Sequence, residues 1–108
     1  MANTFTRYTS KNLGTTPVVL VTAASATQTT VIGFTASNTT ASPITVDVYI
    51  TASATNYYLV KGATVPVGGS LALFGSDGKL VLNTGDAFTV VASAASSADI
   101  ILSVLQIT

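Results

Sequence analysis

The side chains that most often carry catalysis are almost missing from this chain. None of its 108 residues is His or Cys, and its four acidic residues are all Asp. A Ser-His-Asp or Cys-His site would therefore lack its base or its thiol. From this set of side chains, we expect that the protein is not an enzyme.

The four Asp residues are scattered and do not have the spacing of a paired-carboxylate or metal site. Asp77 and Asp86 adjoin Gly in predicted turns, where Asx turns account for them. Asp47 falls on the polar side of a predicted strand, as a solubilising charge or a partner for a Lys, and Asp99 opens the last strand. A divalent cation needs several converging oxygens, so we expect no metal and no cofactor.

Two further short motifs also give little chemistry. Gly68-Gly69 has no following Lys-Ser/Thr and no helix, so it predicts a tight connection and not a phosphate loop. Tyr57 and Tyr58 are adjacent in a predicted strand and point to opposite faces. We expect one to be buried and the other exposed, which makes the pair weak evidence for a sugar-binding platform, even with Tyr49 nearby.

The charges and the length of the apolar runs argue against two kinds of partner, nucleic acid and a membrane. Four cations balance the four Asp at zero net charge, and charged residues make up 7% of the chain, against about a quarter in ordinary domains. No basic stripe favours direct nucleic-acid binding. No apolar run approaches the roughly 20 residues of a membrane helix, and the start lacks a signal peptide's pattern, so we expect assembly in a cytoplasm and no membrane.

The elements that position these residues are predicted to be strands. Thr, Val and Ile, which suit a pleated surface, together supply over a third of the chain. Residues 43–51 alternate cleanly, with Ile44, Val46, Val48 and Ile50 on one face. Further strand segments are predicted at 17–22, 30–35, 57–61, 70–74, 79–82, 87–91 and 99–107.

This pattern predicts an all-β, single-domain β-sandwich, jelly-roll or Ig-like, of about eight short antiparallel strands. The segments at 70–74 and 79–82 flank a Gly-containing stretch and predict a hairpin. In segment 30–35, Ile32 and Phe34 are expected on one face, with Gly33 permitting close approach or a bulge.

The last segment is apolar on both faces. Ile100, Leu102 and Val104 fall on one side, and Ile101, Leu105 and Ile107 fall on the other. Such a strand lies between layers or at an interface. Together with the low charge, it favours a role in packing or assembly, and a homo-oligomer.

Residues 1–16 are more polar than the rest, and two alternatives remain for them. They form an N-terminal arm or an edge strand, ahead of a sandwich domain at 17–108. A frayed terminus is the plain interpretation, and an arm that packs on a neighbouring subunit is the sharper one. The candidate partner-contact residues are Phe5, Arg7, Tyr8, Lys11 and Ile107.

The chain also resembles a known group of proteins in several ordered stretches. These are MANTFTRYTSKNLGT, TTVIG, TVDVYI, YLVKG, VPVGGS and SSADIILSVLQI, at 1–15, 29–33, 45–50, 58–62, 65–70 and 96–107. They are similar to small virion structural proteins of tailed phages that infect cyanobacteria and other marine bacteria. The resemblance spans nearly the whole chain and implies a particle component, with no catalytic residue to carry over.

The function expected is therefore that of a non-enzymatic phage virion protein. The leading hypothesis is a capsid decoration or cement protein that packs against the major capsid protein, other virion proteins or itself, in a virion assembled in the host cytoplasm. The alternatives are a tail, neck or fibre-associated structural protein, and a receptor- or glycan-binding module that uses Tyr49, Tyr57 or Tyr58.

Overall fold

The structure, a computed structural model, describes residues 3–73 and 79–107. The described residues form nine β-strands. Within these ranges no helix is long and apolar enough to cross a membrane. The strands are β1 (Asn3–Leu13), β2 (Val18–Thr22), β3 (Gln28–Asn38), β4 (Ile44–Ala52), β5 (Thr55–Val65), β6 (Ser70–Leu73), β7 (Leu80–Leu82), β8 (Ala87–Ala92) and β9 (Ala98–Ile107).

The strands make two antiparallel sheets, which confirms the predicted β-sandwich. Sheet A has the order β1-β9-β3-β6, with β7 also on β3, and sheet B has the order β2-β8-β4-β5. First and last strands pair, then β2 with β8, β3 with β6 and β7, and β4 with β5. A long hairpin wound across two sheets in this way is a jelly roll, so the jelly-roll alternative describes this chain and the Ig-like one does not.

The tip of that long hairpin is a two-residue turn. Ala52 pairs with Thr55, and the residues between them, Ser53 and Ala54, have φ of 52° and 64°. Positive φ at both central positions is the backbone of a type I′ turn, whose twist matches the flanking strands. This connection keeps β4 and β5 adjacent in sheet B.

The predicted hairpin between residues 70–74 and 79–82 is wrong. β6 pairs with the Phe34–Ser37 end of β3 and β7 with its Thr29–Val31 end, both antiparallel. The two short strands therefore run in the same direction along one edge of sheet A. The predicted turn at 75–78, together with Phe74 and Asp77, lies outside the described residues.

The core lies between the inner faces of the two sheets. Alternation in β4 buries Ile44, Val46 and Val48 as predicted, and alternation in β9 buries Ile100, Leu102 and Val104. Phe34 of sheet A meets Phe88 of sheet B with ring centroids 5.6 Å apart and a tilt of 51°. Such tilted aromatic pairs are favourable beyond the area they bury, and this one joins the two layers.

The polar N-terminal segment is part of the sandwich. β1 pairs with β9 from Asn3↔Ile107 to Leu13↔Ala98 and forms one edge of sheet A. Leu13, at its end, is buried in the core. The described part of residues 1–16 is therefore an edge strand for most of its length and not an extended arm.

Candidate interaction surfaces

The outer face of sheet A carries apolar side chains that the core does not use. β9 turns Ile101, Leu105 and Ile107 outward, because their neighbours fill the core. The pairing continues one row across the whole sheet, from Phe5 through Leu105 and Thr30 to Val81. Phe5 is 74% exposed, Val81 64% and Ile101 49%. We call Phe5, Ile32, Val81, Ile101, Leu105 and Ile107 the sheet A face.

A shallow groove lies on this face beside Phe5 and Ile32. Arg7, Ser103 and Gly33 are cross-strand neighbours in this region. The register of β3 shifts between Val31 and Gly33, which places the extra residue of a bulge at Ile32. The resulting depression has a volume of about 250 Å³ and is lined by Phe5, Thr6, Arg7, Ile32, Ser103 and Val104.

The bulge also corrects the expected facing of β3. Val31 pairs with Val104 and Phe34 with Leu102, both toward the core. Ile32 instead lines the outer depression with Phe5. Ile32 and Phe34 therefore do not share a face, because Ile32 is itself the extra residue of the bulge and lies outward with the paired Gly33.

Three of the five candidate contact residues share the sheet A face or its groove. Phe5, Arg7 and Ile107 all lie on the outer side, since they pair with or neighbour outward residues of β9. Tyr8 pairs with the buried Leu102 and packs, partly buried, against the core. Its hydroxyl accepts a hydrogen bond of 3.0 Å from Gln106 Nε2, so Tyr8 supports the edge strand from inside.

The fifth candidate, Lys11, has a partner within the chain. Its Nζ lies 3.2 Å from Asp99 Oδ2, and the Asn12 N–H donates to Asp99 Oδ1, also at 3.2 Å. Asn12 has a φ of 57° where the register of β1 shifts. The Asn12 N–H and then the Lys11 ammonium lower the pKa of Asp99. Asp99 thus fastens the irregular end of β1 and is more than a loop-end residue.

The outer face of sheet B is built differently. Tyr49 and Tyr58 are cross-strand partners, with ring centroids 4.9 Å apart. The Lys61 ammonium lies over the Tyr58 ring, 4.8 Å from its centroid, a cation–π contact. We call Tyr49, Tyr58 and Lys61 the tyrosine cluster; within it, one face of the Tyr58 ring is already occupied by a cation.

The expectation that one of the two adjacent tyrosines is buried is wrong. Tyr57 is 56% exposed and Tyr58 45% exposed. Their rings do leave opposite sides of β5, but Tyr57 pairs with Ile50 close to the turn at 53–54. Tyr57 belongs neither to the described core nor to the residues packed against it, although its partner Ile50 does pack there.

The remaining described Asp residues have structural contacts. Asp47 Oδ1 accepts a hydrogen bond of 2.6 Å from the N–H of Gly62, which has a φ of 70°. The partner of Asp47 is therefore a backbone N–H at a left-handed glycine and not a Lys side chain. Asp86 Oδ2 accepts from the Asn83 N–H at 3.0 Å, which confirms the predicted turn role.

No cluster of three metal-ligating His, Cys, Asp or Glu side chains occurs within residues 3–73 and 79–107. Comparison of the chain with protein-family models, with curated proteins and with solved structures gave no match. The residues of the sheet A face are thus described from geometry alone.

Sequence reasoning missed part of this face. The apolar outer side of β9 was visible as alternation, but Ile32 and Val81 joined it only through a bulge and a long-range pairing. The sequence signals available were Gly33, which is compatible with a bulge, and the Leu80-Val81-Leu82 run, whose middle residue must face away from its neighbours.

Proposed function

We propose that this chain is a non-enzymatic structural protein of a phage virion, and that it decorates or cements the capsid. The observation that carries the proposal is the sheet A face, where apolar side chains stand exposed in a protein with only 7% charged residues. Exposed apolar patches of this kind mark interaction surfaces. The phage context comes from the resemblance of the strand and turn stretches.

The mechanism is burial of this face against the major capsid protein, other virion proteins or a further copy. Each Å² of apolar surface removed from water contributes about 25 cal/mol. A copy that binds the assembled shell but not its separated subunits stabilises the shell by mass action. No catalytic residue, cofactor or metal takes part, and assembly takes place in the host cytoplasm.

The fold is compatible with this role without deciding it. Jelly rolls occur in viral capsid proteins and also in lectins, and a fold does not by itself imply a function. The cations offer little to nucleic acid, since Lys11 pairs with Asp99 and Lys61 lies over Tyr58. The proposal therefore places the chain on protein surfaces, without direct nucleic-acid or membrane contact.

The copy number per purified virion tests the proposal. Quantitative mass spectrometry against the major capsid protein should count hundreds of copies if the chain decorates the shell. A dozen copies or fewer would contradict decoration and support the tail, neck or fibre-associated alternative, which could use the same apolar face.

A receptor- or glycan-binding module is the second candidate, and the exposed Tyr57 ring favours it. Sugars stack on open aromatic faces, and Tyr57 is 56% exposed. The Tyr58 ring is less available because Lys61 lies over it. A glycan array that gives binding by wild type and none by Tyr57→Ala would support this candidate, and an array without signal would remove it.

A further inference from the structure

The described sheet edges differ in how well they are guarded against pairing with another chain. An open edge presents unpaired N–H and C=O groups, and proteins guard it with short strands, Pro, bulges or charge. β2 has five residues, follows Pro17 and has a register shift. The pairing of β5 with β4 shifts register on both sides of the Val48↔Val60 pair, and Gly62 of β5 has a positive φ. β6 and β7 have only four and three residues.

The edge at β1 lacks these protections over most of its length. Its register with β9 is unbroken from Asn3 to Ser10, and the shift comes only after Ser10. That stretch holds no Pro or Gly and a single charge, at Arg7. The side of β1 away from β9 pairs with no strand among the described residues. Its backbone is therefore prepared to accept one more antiparallel strand.

We propose that the occupant of this edge is β1 of a second copy of the chain. The two strands pair antiparallel around a two-fold axis at Thr6, which places Thr6 opposite Thr6 and Phe5 opposite Arg7 of the second copy. A two-fold interface uses the same patch on both subunits, and the pairing joins the two A sheets edge to edge.

Charge and strand regularity select this register. Residues directly opposite in an antiparallel pair share a face, so outward residues must meet outward residues. An axis at Arg7 would oppose two like charges, which is unfavourable. An axis at Tyr8 would draw the bulged Lys11 into the pairing, and an axis at Phe5 would shorten it.

The selected register also covers the most exposed side chain of the edge. Phe5 is 74% exposed, and the Arg7 guanidinium of the second copy would lie beside its ring as a cation–π pair, with the same contact repeated by symmetry. The inference deepens the proposed assembly role and rests on it for its biological purpose.

A single introduced cysteine tests the register directly, because the chain has none of its own. Directly opposite residues have Cα atoms about 4.5–5.5 Å apart, within the range of a disulfide. Thr6→Cys should therefore give a covalent dimer with oxidised glutathione as the oxidant. In the matched control Thr4→Cys the two thiols lie four residues out of register, about 13 Å apart along the strands, and should form no disulfide.

The outcomes of this experiment are decisive. Rapid cross-linking of Thr6→Cys with little for Thr4→Cys supports the inference. Equal cross-linking of both variants, or none of either, overturns it. Light scattering of the unmodified wild-type chain should give twice the monomer mass at micromolar concentration.

Charge at position 5 gives an independent test. Phe5→Lys sets a like charge opposite Arg7 of the second copy, whereas Phe5→Glu sets an opposite charge there. Since each contact occurs twice, the dimer Kd of Phe5→Lys should exceed that of Phe5→Glu by about tenfold or more. Adding Arg7→Glu to Phe5→Lys should restore the dimer, and equal Kd values for the two single variants would overturn the register.

The result is separable from the proposed virion role. A dimer that is absent from purified virions would keep this inference and remove the proposed function. Abundant copies in virions from a chain that stays monomeric and does not cross-link at Thr6→Cys would keep the function and remove the inference.

Discussion

The two outer faces of the sandwich contrast in how their large side chains are satisfied. On sheet B, Tyr49 and Tyr58 pack on each other, Lys61 lies over Tyr58, and Asp47 bonds the Gly62 N–H. On sheet A, Phe5, Val81 and Ile101 stand exposed, and Phe5 lines a groove together with Ile32 and Ser103. The large side chains of the tyrosine cluster contact one another within the chain, whereas Phe5, Val81 and Ile101 on sheet A are exposed to solvent.

This difference shows what the scarcity of charge does in this chain. Around the tyrosine cluster, the outer face of sheet B is internally bonded with few charges, because its aromatic and polar groups contact one another. Sheet A has the same pleat and the same alternation, yet several of its outer positions are exposed apolar side chains. An interface protein is expected to be uneven in this way, with one face for solvent and one for a partner.

The largest expected effect separates the two sides of β9 itself. Ile100→Ala should lower the free energy of unfolding by about 2–4 kcal/mol, because it leaves a cavity in the core. Ile101→Ala, the next residue, should change it by less than about 0.5 kcal/mol, since its side chain lies on the surface. Urea denaturation of both variants measures this. Similar losses would mean that the sheet A face is buried within the monomer.

The second effect compares the faces as binding surfaces. Ile101→Lys on sheet A and Val19→Lys on sheet B place the same charge at similarly exposed apolar positions, 49% and 54%. Ile101→Lys should reduce the copies retained per virion by about tenfold or more, because a charge would be buried at the contact. Val19→Lys should keep near wild-type occupancy, and the reverse order would assign binding to sheet B.

The third effect is on stability, and here the substitution on sheet B has the larger effect. Tyr58→Ala should lower the free energy of unfolding by about 1–2 kcal/mol, since it removes an aromatic pair and a cation–π contact. Phe5→Ala should cost less than about 0.5 kcal/mol at concentrations below the dimer Kd, where its ring is mostly in water. Thermal unfolding of both variants gives the comparison, and an equal cost would erase the difference between the faces.

The smallest effect concerns the clamp at the end of β1. The Asn12 N–H and Lys11 hold the pKa of Asp99 below its usual range, so the ionised carboxylate adds stability above the unfolded pKa. That contribution is lost as the pH falls through the lowered folded value. The Tm of wild type should exceed that of Asp99→Asn at neutral pH, and the two Tm values should converge in strong acid. A gap that persists at pH 2 would contradict this role.

Local patterns in the sequence predicted the strands well, because alternation is a local signal. The segment at 43–51 became β4 (Ile44–Ala52) and the segment at 99–107 became β9 (Ala98–Ile107), each with the expected inner face. The all-β sandwich follows from such segments and from the β-branched composition.

The pairing between strands was harder to predict, because it depends on distant residues. β6 and β7 flank a turn-like stretch, yet both join β3, where Leu71 meets Ala36 and Leu80 meets Val31. Asp47 bonds Gly62 because a bulge in β5 brings that N–H to it, and no local rule indicates this. The alternation in β9 predicted its outward apolar residues, which form one part of the sheet A face. The positions of Ile32 and Val81 on that face could be predicted only with the order and register of the strands known.

Covalent footprinting of the chain, free and in purified virions, tests the central claim most directly. The claim is that the sheet A face is the contact surface. Val81 and Ile101 should lose most of their labelling in the virion, while Val19 and Tyr57, exposed on the opposite sheet, should keep theirs. Protection of Val19 and Tyr57 with full labelling of Val81 and Ile101 would contradict the account.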